Sequence, residues 1–118
     1  MDIVKTIYLL ERLVLLSFCM KIAKQLNGSE LILSLEGELN SSNYQELENV
    51  IKNDLDNVQS LIFDFTKLVY LSSAGLRVLL IAQKLMNKKG HMLIRHANES
   101  IKEIFNITGF YNVLDIED

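Results

Sequence analysis

From Met20 onward the spacing of apolar residues switches repeatedly between two and about 3.6, and this switching limits the fold more than any other feature. "MKIAKQL" alternates apolar and polar residues, "NGS" (Asn27, Gly28, Ser29) is a hairpin turn signal, and "ELILSLEGEL" alternates again. The period then changes: Tyr44, Leu47, Val50, Ile51 and Leu55 share one helical face, and Ser42 with Gln45 three places on forms a capping-box pattern that predicts a helix start near Ser42. "SLIFDF", with its apolar run from Leu61 to Phe65, reads as a strand buried on both faces. A helix is predicted from Ser73 to about Lys88, with Gly90 as its stop. "HMLIRH" is a further short strand. "NESIKEIFNITG" is a helix capped by Asn98 or Ser100, with Ile101, Ile104 and Phe105 inward and Gly109 at its end, and "VLDIE" is a last strand. The order ββαβαβα(β) defines an α/β fold with a mixed sheet of four to five strands, because helices between strands imply parallel pairing and helix cover.

At 118 residues the chain holds one such core and not two. A net charge of -3 offers no basic surface for a phosphate backbone, so nucleic acid is not an expected partner. The single cysteine, Cys19, excludes an internal disulfide and a cysteine-based zinc site, and fits a reducing cytoplasm. The first nineteen residues are expected to be an extension, with the domain over 20–118. They are apolar, but Glu11 and Arg12 divide them into pieces too short to span a bilayer, and Asp2 with bulky Phe18 argues against an export signal. Two readings stand side by side. One is an amphipathic helix whose Ile7, Leu10, Val14 and Phe18 stripe packs on the domain or on a second copy, giving a homodimer. The other makes Met20 the true start.

Catalytic constellations are sparse. His91 and His96 flank a strand without a carboxylate cluster, and no Gly-rich nucleotide loop is present, so neither cofactor nor metal is expected. Asp64, between Phe63 and Phe65, points to the face opposite theirs. Its alternatives are to cap a nearby backbone group or to sit beside an exchanging phosphate. The stretch "VYLSSAGLRVLL" carries the most chemistry. Strand formers meet small residues where a helix starts, so Ser72 or Ser73 can cap that helix, and Ala74 and Gly75 leave backbone amides open to approach. A phosphoserine would be tolerated at this positive helix end, and would add a charge of about -1.5 to -2 to a surface following Tyr70 and Leu71. The next helix is apolar almost all round in its first half, which leaves Leu76, Leu79 and Arg77 as a face for contact with a second protein or for cover by the N-terminal segment.

From Met20 to its end the chain resembles a STAS domain, the module of bacterial anti-sigma factor antagonists that also occurs in sulphate transporters. The hairpin, "LEGELN", "LIFDFTKLVYLSSAGLRVLL", "HMLIRHANESIKEIFNITGF" and "YNVLDI" carry the resemblance in order. It implies a sheet with helices mainly on one face and a non-enzymatic cytoplasmic regulator. The implied partner is an ATP-dependent serine-kinase anti-sigma factor (a GHKL-type ATPase), with a phosphatase resetting the switch. The family's usual loop reads Asp-Ser-Ser-Gly, with the second serine accepting phosphate. Laid on it, Ser72 takes the aspartate position, Ser73 the first serine and Ala74 the acceptor, while Asn40 replaces a frequent acidic residue after "GEL". The phosphoacceptor is therefore expected at Ser73, with Ser72 second. Tyr70, Leu71, Ala74, Gly75, Leu76 and Arg77 are expected to touch the partner, and Asp64 and Asn40 to support the loop. The alternative is a STAS subunit that docks without phosphate chemistry in another complex, such as a lipid-transport or stress-signalling assembly.

Overall fold

A computed structural model of the chain describes Ile3 and residues 20–117. The expected stripe of Ile7, Leu10, Val14 and Phe18, the dimer through it, and Cys19 lie outside the described residues. Strands β1 (Lys21–Asn27) and β2 (Glu30–Leu39) form the expected antiparallel hairpin. Gly28 has φ 63 and Ser29 does not follow it into the left-handed region, the pattern of a two-residue type II′ turn. Then come α1 (Tyr44–Asp54), β3 (Ser60–Leu71), α2 (Ser73–Asn87), β4 (His91–Arg95), α3 (Glu99–Thr108), a 3-10 turn at Phe110–Asn112 and β5 (Ile116–Glu117). The sheet runs β1-β2-β3-β4-β5, with β1 antiparallel and the remaining pairs parallel. The mixed five-stranded sheet and the order ββαβαβα(β) agree with the sequence pattern.

One face of this sheet carries the core. Register places Leu33 beside Phe63 and Phe63 beside Ile94. These join Leu47 and Ile51 of α1, Leu79, Ala82 and Met86 of α2, and Ile101 and Phe105 of α3 in one buried cluster. Each such side chain contributes roughly 1.5–3 kcal/mol when taken from water. Residues of opposite phase, Ser34, Asp64 and Arg95, form a row on the other face.

β3 is longer than "LIFDF" implies because two bulges carry it on. Between Ser34 and Glu36, and again between Gly37 and Glu38, β3 holds one residue more than β2. The inward side chains of β3 therefore fall at Phe63, Phe65, Leu68 and Leu71 rather than at every second position. The second bulge leaves both Val69 and Tyr70 exposed, a re-aiming of side chains that bulges commonly provide.

Three helix ends repay attention. The Ser42–Gln45 capping box does not form: α1 starts at Tyr44 after Asn43. The Asn40 side chain accepts from the Ser42 N–H at 2.9 Å, the donor that the box would have given to the Gln45 side chain, and the Asn40 carbonyl accepts from the Asn43 and Tyr44 N–H groups. At the end of α2, Gly90 has no left-handed backbone; it is a glycine because its α-carbon lies against the backbone of Gln59. α3 is capped by Asn98, whose Oδ1 accepts from the Ile101 N–H at 2.9 Å, and it ends at Gly109 with φ 78.

Asn98 also ties α3 to the sheet. β4 stops at Arg95 opposite Asp64, so the last residues of β3 have no strand on that edge. The Asn98 Nδ2 donates there to the Leu68 carbonyl at 3.1 Å and the Val69 carbonyl at 3.3 Å. Asn98→Ala removes the cap and both donations, and should cost about 2 kcal/mol, read as a fall of roughly 8–16 °C in Tm. Asn98→Asp keeps the cap acceptor alone and should fall between the two in the same thermal melt.

Candidate functional site

β2 and β3 are parallel neighbours ending level with one another, Leu39 beside Leu71. Both chains leave the sheet at one place, Asn40 leading to α1 and Ser72 to α2. Ligands of open α/β sheets bind outside the carboxyl ends of the strands where the strand order reverses, and this sheet has no such reversal. The pairing of Leu39 with Leu71 brings Asn40 together with the 70–77 stretch, 30 residues and more apart in sequence. Glu38, paired with Tyr70, belongs to the same end of the sheet. So does Asn43, whose side chain accepts from the Asn40 N–H and donates to the Glu38 carbonyl at 2.8 Å. Glu38, Asn43 and Val69 were not singled out by the sequence pattern. The "NSSN" turn, with an asparagine at either end, was a signal for Asn43 alone.

The turn itself is held firmly. The Ser72 N–H donates to the Leu39 carbonyl at 2.9 Å and the Ser72 carbonyl accepts from the Leu76 N–H at 3.0 Å, which starts α2. Ser72 occupies the N-cap position with extended backbone, yet its hydroxyl makes no capping bond. That oxygen is buried and finds no hydrogen-bond partner among the described residues. Ser73, the first helical residue, is exposed, as are Arg77 and, at 46%, Tyr70.

The other expected contact residues point inward. Leu71 is 1% exposed, Ala74 5% and Leu76 7%, and Gly75 is buried. A β-carbon on Gly75 would sit 2.5 Å from Cδ1 of Leu71 and 2.8 Å from Cγ of Leu39. Gly75 therefore serves the close approach of α2 to the ends of β2 and β3, not an opening of amides to solvent. The surplus apolar face expected at Leu76 and Leu79 is likewise corrected. α2 packs against α1 as well as β3 and β4, and both leucines are in the core, which accounts for a helix apolar on most sides.

Asp64 does not support this turn. It precedes Leu71 by seven residues of β3, roughly 20 Å of extended chain, and faces the side of the sheet that no described helix covers. Its Oδ1 accepts from the Thr66 N–H at 3.0 Å and the Thr66 hydroxyl at 2.5 Å. Burial pushes its carboxyl upward, but the two Thr66 bonds and the nearby His96 and Arg95 outweigh burial and hold it below the ordinary aspartate value. It lines a shallow cavity of about 290 Å³ with Lys21, Ala23, Ser34, Glu36 and Lys67. Among the described residues no group of three His, Cys, Asp or Glu side chains could hold a metal, and no helix is long and apolar enough to cross a membrane.

Among the described residues, a single sheet with helices on one face and a partly exposed strand-to-helix turn defines an α/β module. The chain belongs to the STAS domain family, which matches residues 21–118. It is 32% identical over 99 residues to BtrV of Bordetella bronchiseptica, named as an anti-sigma factor antagonist, covering 82% of this chain and 85% of that one. The fold is shared with an anti-sigma factor antagonist from Mycobacterium paratuberculosis, with TM-score 0.76, 17% identity, and 83% and 85% of the two chains covered. It is shared too with Bacillus SpoIIAA, known in an unphosphorylated form (TM-score 0.62, 14% identity, 85% and 88% covered) and a phosphorylated one (0.58, 14%, 85% and 92%). The chain is thus a STAS protein of the anti-sigma factor antagonist type.

Proposed function

We propose that this chain captures a serine-kinase anti-sigma factor through the end of β3 and the start of α2, and that Ser73 is the switch. The observation that carries this reading is the division of side chains at the turn. Leu71, Ala74, Gly75 and Leu76 lock the first turn of α2 onto the sheet, while Tyr70, Ser73 and Arg77 stay outside. A partner meets a preformed surface and orders little on binding, which favours capture. Tyr70 supplies the aromatic anchor and Arg77 pairs with an acidic group of the kinase.

At the position of the family's usual acceptor stands Ala74, without a hydroxyl and buried. Ser72 has its oxygen shielded from any kinase, whereas the Ser73 hydroxyl stands at the helix start, open to solvent. In the proposed step the Ser73 oxygen attacks the γ-phosphorus of ATP, the bond to the β-phosphate bridging oxygen breaks, ADP leaves, and the hydroxyl proton passes to a base of the kinase. The phosphoryl group then rests at the positive end of α2 until a phosphatase removes it by hydrolysis. The cytoplasm, where ATP and the kinase reside, is the proposed compartment.

Intact mass after incubation with ATP and lysate of the source organism, followed by peptide mapping, tests the switch. One phosphoryl group on Ser73 and none on Ser72 is expected. Ala74 favours one other reading, a docking subunit of another assembly that never carries phosphate. An unmodified chain that still retains its partner would establish that reading instead.

A further inference from the structure

Exposed apolar side chains gather at one place besides the end of β3. Among the described residues Ile107 is 76% exposed, Tyr111 40% and Val113 50%, all within one short stretch from the last turn of α3 to the residue after the 3-10 turn. Apolar residues exposed singly are ordinary, but a group of them rimmed by charge marks an interaction surface. Here the charge is acidic. Residues 99–118 hold five acidic side chains and one lysine in a chain of net charge -3, so the preceding 98 residues together carry +1. Glu99, Glu103 and Ile107 follow one another four residues apart along α3 and form one exposed stripe, away from buried Ile101 and Phe105. Beside the stripe lies a shallow groove of about 430 Å³ lined by Glu99, Ser100, Lys102, Glu103, Asn106 and Tyr111. Lys102 faces Glu99 at 3.9 Å, which leaves one carboxylate in excess among these lining residues. The Tyr111 ring is braced edge-on against Phe105, with centroids 6.2 Å apart. The last turn of α3 holds no basic residue, so the negative end of the helix also favours a cation from outside.

We infer that the outer side of α3, with the 3-10 turn, is a second docking surface whose occupant is a basic, apolar segment of a partner protein. An arginine of that segment enters the groove, its guanidinium against the Tyr111 ring and paired with Glu103, while apolar side chains beside it cover Ile107 and Val113. Arginine suits the groove because one planar cation stacks on a ring and pairs with a carboxylate at once. This surface is separate from the turn at Ser73 and does not depend on what binds there. α3 begins at Asn98, bonded to the Leu68 and Val69 carbonyls near that turn, and β5 follows it parallel to β4, so α3 runs back toward the other end of the strands. Its ten residues are about 15 Å long, which leaves room for both surfaces to be occupied together.

Titration of the nitrogen-15-labelled full chain with a blocked peptide of about ten arginine and leucine residues, followed by amide chemical shifts, tests the inference. Shifts should gather over 99–113 and leave 70–77 unmoved. Glu103→Lys, at an exposed helix position, should raise the peptide's Kd at least tenfold. Glu46→Lys makes the same change of net charge at an exposed position of α1 and should leave Kd within about twofold. Ser73→Asp should leave it unchanged too, so the surface on α3 and the one at the turn fail separately. Should Glu103→Lys not fold, the place of the shifts in the unsubstituted chain decides. No shift over 99–113 at millimolar peptide, the same shifts from a peptide with glutamate in place of arginine, or a Kd for Glu103→Lys no higher than for Glu46→Lys would overturn the inference. Shifts over 99–113 that follow protein concentration without peptide would overturn it as well, by making a second copy the occupant.

Discussion

Gly90→Ala is expected to destabilise the domain by about 3 kcal/mol or more. The new β-carbon would overlap the carbonyl oxygen of Gln59 and stand 2.7 Å from its carbonyl carbon, a distance that real β-carbons essentially never show. These are backbone atoms, so no rotamer change relieves the clash. Gln59 has no room to retreat. Its N–H donates to the Ser29 carbonyl at 2.8 Å and its own carbonyl accepts from the His91 N–H at 2.9 Å, at the point where β3 and β4 begin their pairing, Ser60 beside His91. Overpacking of this kind costs roughly 1–3 kcal/mol before any hydrogen bond is lost, and each bond lost adds about 1 kcal/mol. Against this, alanine reduces the entropy of the unfolded chain by less than about 1 kcal/mol. For a domain with roughly 5–15 kcal/mol in hand, the denaturation midpoint should fall steeply. Gly28→Ala is the control: its φ of 63 strains alanine by about 1–2 kcal/mol, but nothing lies within 4 Å of the added carbon. A midpoint for Gly90→Ala no lower than for Gly28→Ala would show that the close approach to Gln59 does not exist.

Gly90 also illustrates what a sequence conceals. As a punctuation mark it was legible: a glycine after "NKK" ends a helix, and α2 does end there. Its cause was not, because the neighbour that forbids a side chain lies 31 residues earlier. The same division runs through the site. The order of strands and helices was readable from the change of period, and the opposite phase of Asp64 to Phe63 and Phe65 followed from alternation alone. The two bulges in β3 were not readable, since an inserted residue breaks the very period used to find a strand; Val69 and Tyr70 owe their exposure to the second of them. Leu76 and Leu79 were misassigned to the surface because one helix cannot announce that it has neighbours on two sides. The resemblance placed Asp64 with the loop, whereas β3 holds it in mid-strand, beside Arg95 and seven residues before Leu71, on the face opposite the core.

Ser73→Asp should lower affinity for the proposed kinase partner at least tenfold while leaving the melting temperature unchanged or slightly raised, and this opposition of signs makes it informative. Ser73 is exposed and is the first residue of α2, a helix with no acidic residue in its first turn. A carboxylate there meets free N–H groups and the positive helix end, worth roughly 0.3–1 kcal/mol to folding. At an interface the same charge has to be desolvated without a partner. Truncating or misplacing a charge at a buried contact costs roughly 2–5 kcal/mol, and 1.4 kcal/mol already amounts to tenfold in Kd. Folding and binding therefore respond in opposite directions if Ser73 lies within the docking surface. Ser73→Ala should bind as the unsubstituted chain does and take no phosphoryl group, which separates the loss of a switch from the loss of a surface. Ser72→Ala should change neither property, because its oxygen is buried and bonded to nothing among the described residues. Undiminished affinity of Ser73→Asp, measured by titration calorimetry with the isolated kinase, would remove the start of α2 from the interface. Tyr70 and Val69 would then have to carry the capture from the bulged end of β3, and an unfavourable charge at Glu38, paired with Tyr70, would become the place where the surface is next tested.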